Sequence, residues 1–171
     1  MSLLYTFIKN KTNEKIMEEF KVRKLNKDDI GLIVPLRVAL QVFDYGKRNI
    51  CVDEESLAKA TKEYLINNLD SKLFMFGGFV GEELVSLCGY NIIEFFPTHE
   101  NNSGKEANIC SVITKEEHRG KGYMTKLFQV CLEHINKNGF KSCRLVASNP
   151  IALKIYEKFG FVKYKNIYKK S

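Results

Sequence analysis

The spacing of apolar residues predicts helices and a hairpin in the first half of the chain. Apolar side chains recur every three or four residues over 30–40 and over 57–65, which is typical of helices with one buried face. A short alternating stretch at 21–25 predicts a strand. Residues 73–80 and 84–93 are β-prone, and Gly81-Glu82-Glu83 separates them as in a β-hairpin. Pro35 interrupts the first helical pattern, so a kink or a division is expected there.

The second half alternates between strand and helix patterns. Strands are predicted over 107–114, 142–147 and 161–168, and helices over 120–138 and 150–159. Asn138-Gly139 is a typical stop for the longer helix, and Pro150 suits the first turn of the shorter one. This order after a hairpin predicts an α/β (α+β) fold, in which a sheet carries helices on both faces.

The length and composition indicate one globular domain. A chain of 171 residues with 44% hydrophobic residues can enclose a core, which excludes a wholly disordered protein. Residues 20–171 are predicted to form the domain, and residues 1–19 a leader segment that is compatible with a short helix. The start lacks the apolar centre of a secretory signal, and no stretch approaches the roughly 20 apolar residues of a membrane span.

The charge, the cysteines and the histidines indicate which partners, location and metal content to expect. The net charge of +7 suits an anionic cofactor as well as nucleic acid, but the basic residues are spread along the chain, so no nucleic-acid partner is expected. The five cysteines form no CxxC pair and lie among apolar residues, which predicts reduced, buried thiols in a cytoplasmic protein. The three histidines have no ligand spacing, so no metal site is predicted.

A glycine-rich turn between a predicted strand and a predicted helix is the first candidate for chemistry. Gly120 and Gly122 permit a tight turn and present backbone N–H groups at the helix N-terminus, where the helix dipole favours an anion. Arg119 and Lys121 add positive charge, so a diphosphate is the natural ligand; a purely structural turn is the alternative. The segment lacks the third glycine of a dinucleotide-binding loop and the Gly-Lys-Ser/Thr ending of a P-loop.

Two motifs together resemble those of the GNAT superfamily of N-acetyltransferases. The segment 119–124 is similar to the Arg/Gln-x-x-Gly-x-Gly/Ala pyrophosphate loop, with Met124 in place of the final Gly or Ala. Downstream, residues 149–161 are similar to the signature Asn-x-x-Ala-x-x-x-Tyr-Glu-Lys-x-Gly-Phe. The motifs stand in the expected order with a predicted strand between them. The resemblance is specific over 107–168, architectural over 20–95, and says nothing about 1–19.

The resemblance implies acetyl-CoA as co-substrate, without a metal, and a mixed, partly splayed β-sheet. In the family, the strand before the pyrophosphate loop splays from its neighbour and leaves backbone groups free for the pantetheine arm. The cofactor-binding residues implied for this chain are Val112, Ile113, Thr114, Arg119, Gly120, Lys121, Gly122, Tyr123, Met124, Thr125, Asn149 and Tyr156.

The implied reaction is direct attack of an amine on the thioester, which needs a proton donor for the departing thiolate and a base for the amine. The resemblance makes Tyr156 the candidate acid, and Tyr156 follows Asn149 by about two helical turns on the same helix face; a core aromatic is the alternative. Glu106 is the candidate base, with a surface carboxylate as the competing interpretation. Glu94, His99 and a water chain remain open as other bases.

The acceptor amine is not fixed by any motif. A polyamine, an aminoglycoside-like antibiotic, an amino acid and a protein amine remain open, with a small molecule favoured over a protein. A cationic acceptor would favour acidic lining, for which the candidates are Asp53, Glu54, Glu55, Glu94 and Glu100. A non-catalytic acyl-CoA-binding regulatory module is the alternative function, and a homodimer through a sheet edge is left open.

Overall fold

The computed structural model describes residues 19–147 and 149–164. The predicted leader, apart from residue 19, and the chain after residue 164 lie outside this description. The strands are β1 (Phe20–Lys24), β2 (Leu73–Val80), β3 (Glu83–Glu94), β4 (Lys105–Thr114) and β5 (Cys143–Leu145). The α-helices are α1 (Ile30–Gly46), α2 (Glu54–Asn68), α3 (Tyr123–Lys137) and α4 (Pro150–Lys158). Single 3-10 turns, Lys27–Asp29 and Glu116–His118, precede α1 and follow β4.

The strands form one mixed sheet in the order β1-β2-β3-β4-β5. The first four are antiparallel to their neighbours, whereas β5 runs parallel to β4. A parallel neighbour requires a crossover, which α3 supplies between β4 and β5. The predicted class, an α/β sheet flanked by helices, is therefore confirmed.

Strand alternation divides the core between the two faces of the sheet. Met75 and Leu87 point to the first face, which α1 and α2 cover. Phe76 and Tyr90 point to the second face, where α3 and α4 bury Phe128 and its neighbours. Each helix pattern in the sequence therefore corresponds to one packed stripe, and the sheet is covered on both sides.

The first helix is continuous through Pro35, so the predicted division of this helix is wrong. The proline lacks the N–H that would bond the carbonyl of Gly31. Both residues lie on the exposed side of α1, where water can solvate that carbonyl. The buried side of the helix keeps its packing, and the interruption is tolerated.

Two predicted boundaries at the C-terminal end differ in the structure. The helix expected from Gly120 begins at Tyr123, because the glycines adopt left-handed conformations that a helix cannot continue. The strand predicted over 161–168 is not formed at residues 161–164, where Val162 and Tyr164 are exposed; its remainder lies outside the described residues. In the described part of the chain, no helix is long and apolar enough to cross a membrane.

The turn before α1 is held by a bidentate ion pair, which gives a testable prediction. Arg23 donates to both carboxylate oxygens of Asp29 at 2.7 Å, and the Asn26 N–H donates to the same carboxylate at 2.9 Å. These hydrogen bonds hold the pKa of Asp29 below its usual range. Replacing Asp29 by Asn is expected to lower the free energy of unfolding by about 1–2 kcal/mol at pH 7, since water screens the Arg23 end.

Urea denaturation across pH measures this effect. A lowered carboxyl pKa stabilises the fold above the ordinary value of about 4, and this contribution disappears as the pH falls through the folded pKa. The gap between wild type and Asp29→Asn should therefore close below about pH 4. Asp28→Asn is the matched control, because only the backbone N–H of Asp28 takes part in the turn. An equal loss in both variants would contradict the assignment.

Candidate active site

The sheet opens between β4 and β5. Within the described residues, β5 pairs with β4 at Ala107, Asn108 and Ile109 and no further. After Leu145 the chain leaves the sheet, with Val146 largely exposed. Residues 110–114 of β4 thus keep β3 on one side and, among residues 19–147 and 149–164, have no strand partner on the other. Their outward backbone N–H and C=O groups are available to an extended ligand.

A bulge lies within this open part of β4. Ser111 has φ +56°, which non-glycine residues rarely adopt, and the register with β3 shifts between Leu87 and Gly89. The extra residue shifts the alternation of side chains between the two faces of the sheet. After the bulge, Val112 packs with the second-face core and Ile113 packs against the first-face core. Backbone strain of this kind is concentrated at functional sites.

The end of β4 is fixed by two polar contacts. The hydroxyls of Ser86 and Thr114 lie 2.9 Å apart across β3 and β4. The Nε atom of Arg119 donates to the Thr114 carbonyl at 3.1 Å. These contacts join the open strand to the glycine turn that follows it.

The glycine turn forms an open cradle at the start of α3. Gly120 and Gly122 both have φ +76°, and a Cβ at either position would meet no described atom within 4 Å. Gly122 is the N-cap residue, and no described side chain caps the helix. The first N–H groups of α3 therefore face open space, as an anion site requires.

Aromatic side chains support the cradle from below. The rings of Tyr123 and Phe20 stack in parallel with centroids 4.0 Å apart. Met124 is buried in the second-face core, which explains why a large residue is accommodated where the resembling motif has Gly or Ala. Its side chain points inward and leaves its backbone on the cradle side. Lys121 remains exposed beside the turn.

Tyr156 is buried against the second face, next to Phe128 and Phe161. Burial raises the pKa of its phenol to about 12, and nearby Cys88 and Asp44 add to the shift. The hydroxyl therefore stays protonated at physiological pH and can donate a hydrogen bond. Its packing also fits the alternative of a core aromatic, so its chemical role stays a prediction.

Asn149 stands immediately before α4, and its carbonyl accepts from the N–H groups of Ala152 and Leu153. It thus begins the helix that carries Tyr156, two turns earlier on the same face. This is the arrangement that the spacing predicted. Thr125 lies in the first turn of α3, half-buried next to the cradle.

Glu106 lies at the closed end of the β4–β5 pair. Its carboxylate is 3.6 Å from Arg144 Nε and accepts a hydrogen bond from Ser142 Oγ at 3.3 Å. The bulge at Ser111 is five residues further along β4, about 16 Å away. A base at Glu106 would therefore have to act through water.

The acidic residues proposed for a cationic acceptor do not form one cluster. The Asp53 side chain caps α2 by accepting from the Ser56 N–H, and Glu54 and Glu55 are exposed in the following turn. Glu94 faces Lys105 at 3.6 Å. Glu100 and His99 are exposed in the loop after β3. Not all cysteines are buried either, because Cys51 is exposed before α2.

Sequence reasoning named no residue of α1 for the site. The Arg119 guanidinium lies over the ring of Phe43, with 5.5 Å between them, which ties the end of α1 to the glycine turn. Arg37 lies on the same helix, and its Nη1 atom is buried without a hydrogen-bond partner among the described residues. The available signal was the position of Arg37 in a helical stripe with Ile30 and Ile33.

Comparison with known proteins agrees with this geometry. The sequence profile of the acetyltransferase (GNAT) family matches residues 43–161, well over half of the chain. The protein therefore belongs to the GNAT acetyltransferase family, as its two motifs predicted. No curated protein matches the sequence.

Solved structures share the fold at low sequence identity. A predicted acetyltransferase from Clostridium acetobutylicum, crystallised with acetyl-CoA, is 24% identical with a TM-score of 0.73, covering 90% of this chain and 96% of the other. Glucosamine-6-phosphate N-acetyltransferase from Arabidopsis thaliana is 21% identical with a TM-score of 0.64, over 90% and 99% of the two chains. A soil-metagenome aminoglycoside acetyltransferase in complex with sisomicin is 15% identical with a TM-score of 0.63, over 89% and 94%.

Proposed function

We propose that the protein is an acetyl-CoA-dependent N-acetyltransferase that acts on a primary amine of a small molecule. The observation that carries this proposal is a series of backbone groups, in the glycine turn and along β4, that are available to a ligand. This track starts at the open cradle of Gly120 and Gly122 and follows the part of β4 that has no second strand partner among the described residues. Val112 in that part packs in the same core cluster as Tyr156. A diphosphate with an extended thioester arm matches this track in charge and shape.

The cradle binds the diphosphate through the N–H groups of α3, and Arg119 and Lys121 supply positive charge. The open edge of β4, from Val112 to Thr114, holds the extended arm by backbone hydrogen bonds. These contacts fix the thioester before the amine arrives, which lowers the entropic part of the barrier.

The transfer itself forms a C–N bond and breaks the C–S bond in one ternary complex. The amine gives up a proton to a base, for which Glu106 acting through water is our candidate, and the departing sulfur receives one. Tyr156 donates a hydrogen bond to that sulfur as its negative charge develops. A phenol with a pKa near 12 is a weaker acid than a thiol. Tyr156 therefore stabilises the transition state by hydrogen bonding to the sulfur more than by complete transfer of its proton.

A small-molecule acceptor is supported by the neighbours that act on sugars. One is named for glucosamine 6-phosphate and another was crystallised with sisomicin, and both share this fold. Their low identity does not carry either substrate to this chain. The proposal therefore specifies that the acceptor carries a primary amine. The other groups of the acceptor have to be inferred from the residues of this protein.

A thermal-shift titration with acetyl-CoA, CoA and ATP tests the proposal. A ligand at about 100 times its dissociation constant should stabilise the fold by roughly 2.7 kcal/mol. We expect stabilisation by acetyl-CoA and CoA and not by ATP, followed by thiol release in a screen of amines. No stabilisation by acetyl-CoA would overturn the proposal. Stabilisation without thiol release from any amine would favour the non-catalytic acyl-CoA-binding module.

A further inference from the structure

Arg37 is a charged residue on the buried face of α1. It follows Ile30 by seven residues and Ile33 by four, so it continues the stripe that α1 packs against the first face of the sheet. Its Nη1 atom is enclosed and has no hydrogen-bond acceptor in the described part of the chain. An unpaired buried guanidinium N–H is costly, so an anionic ligand is the natural completion of this site.

A pair of asparagine side chains lies on the first face of the sheet, three residues before the bulge at Ser111. Asn108 Nδ2 donates to Asn91 Oδ1 at 2.9 Å across β3 and β4, and strand alternation places both amides on the face that α1 covers. Cys110 lies on the same face, where burial raises the pKa of its thiol to about 11 and the charge of Arg37 opposes that shift. Helix α1 packs against β4, and Arg37 lies on the sheet-facing stripe of that helix.

A carboxylate follows Arg37 on the same face of α1. Asp44 follows Arg37 by seven residues, about 10 Å along α1. The Asp44 carboxylate lies close enough to Tyr156 to add to the raised pKa of that phenol, behind the effects of burial and Cys88. Phe43, the residue before Asp44, lies against Arg119 of the cradle. Helix α1 thus carries a cation on its sheet-facing stripe and, two turns later, a carboxylate whose charge acts on Tyr156.

We propose that Arg37 binds an anionic group, a carboxylate or a phosphate monoester, on the acceptor amine. The inference rests on the proposed function and specifies its substrate class. The guanidinium donates hydrogen bonds to the anion, while Asp44 attracts the ammonium end toward Tyr156, so two opposite charges orient the acceptor. A polycationic acceptor would instead bring positive charge against an uncompensated guanidinium.

The test uses pairs of amines that differ in the anion. β-Alanine and β-alaninamide form one pair, and glucosamine 6-phosphate and glucosamine form the other. Each amine is titrated into the CoA-loaded protein by calorimetry and is assayed for thiol release from acetyl-CoA. We expect the member that carries the anionic group to bind at least about 10-fold more tightly than its partner without that group, and Arg37→Met to abolish that preference. The responding pair distinguishes a carboxylate from a phosphate.

A control variant and a stability measurement keep the outcomes distinct. Lys59→Met removes one exposed charge from α2 and should retain the anion preference. Arg37→Met removes a half-buried charge whose Nη1 atom has no partner among the described residues, so its thermal midpoint should not fall and lost binding would not reflect unfolding. The variant should also leave stabilisation by CoA unchanged.

Two results would overturn the inference. One is a wild-type protein that prefers neither anionic amine; the other is an Arg37→Met variant that keeps the preference. If amines with and without the anionic group released thiol with equal efficiency, the proposed acetyltransferase activity would stand and the proposed role of Arg37 would be refuted. If an amine with the anionic group bound in an Arg37-dependent way but no thiol were released, the binding site would be supported and the proposed reaction would be refuted.

Discussion

Replacing Gly122 by Ala is expected to weaken acetyl-CoA binding by about 100-fold or more. The residue has φ +76° and stands at the mouth of the cradle, where a Cβ would project into open space. A diphosphate bound there would have to move away and would lose hydrogen bonds to the first N–H groups of α3. Charged hydrogen bonds of this kind contribute about 1.5–3 kcal/mol each, so the loss of one or two accounts for the effect.

Gly139→Ala is the matched control for this experiment. Gly139 has φ +78°, also meets no described atom within 4 Å, and stands just beyond the C-terminal end of α3. Both variants carry the same left-handed strain of about 1–2 kcal/mol, and both should lose a few degrees in melting temperature. Calorimetric titration with acetyl-CoA separates them. Equal affinities in the two variants would contradict the diphosphate cradle.

Replacing Tyr156 by Phe is expected to lower kcat by about 100-fold while acetyl-CoA affinity stays within a few-fold of wild type. The substitution keeps the ring between Phe128 and Phe161 and removes only the hydroxyl. A role confined to the transition state lowers kcat without a matching change in binding. Because the pKa of Tyr156 is about 12, the wild-type rate should show no loss from its ionisation below about pH 11.

The control for this variant is another buried phenol in the same core. Tyr90 is fully buried, and burial raises its pKa too, but its hydroxyl lies 2.9 Å from His134 Nδ1. Tyr90→Phe should reduce stability by about 1 kcal/mol and leave kcat nearly unchanged. Steady-state kinetics of both variants, with the amine that responds in the screen, measures the difference. A Tyr156→Phe variant with unchanged kcat would establish the core-aromatic alternative.

The fold was predictable where periodicity and packing agree. The helical stripe over 30–40 packs on the sheet, the helix predicted over 57–65 packs mainly against α1, and the hairpin turns at Gly81 as its sequence indicates. Of the kink or division expected at Pro35, the division is wrong, because a sequence pattern does not reveal that the lost hydrogen bond faces water. The prediction also failed at residues 161–164, where β-prone residues adopt no strand in the structure.

The family was set by the sequence alone. The residues 119–124 and 149–161 specify local backbone conformations and helix faces, and such local properties can be read without tertiary contacts. The left-handed glycines and the helix that carries Tyr156 follow directly from them.

Only the tertiary structure decided how distant segments meet at the site. The opening between β4 and β5, the bulge at Ser111 and the approach of α1 depend on pairing and packing between residues far apart in sequence. A sequence pattern shows that Arg37 shares a helix face with Ile33, but not that its Nη1 atom is enclosed without a partner. The sequence therefore determined the two motifs and the fold class, and the tertiary structure determined which residues from distant segments lie together.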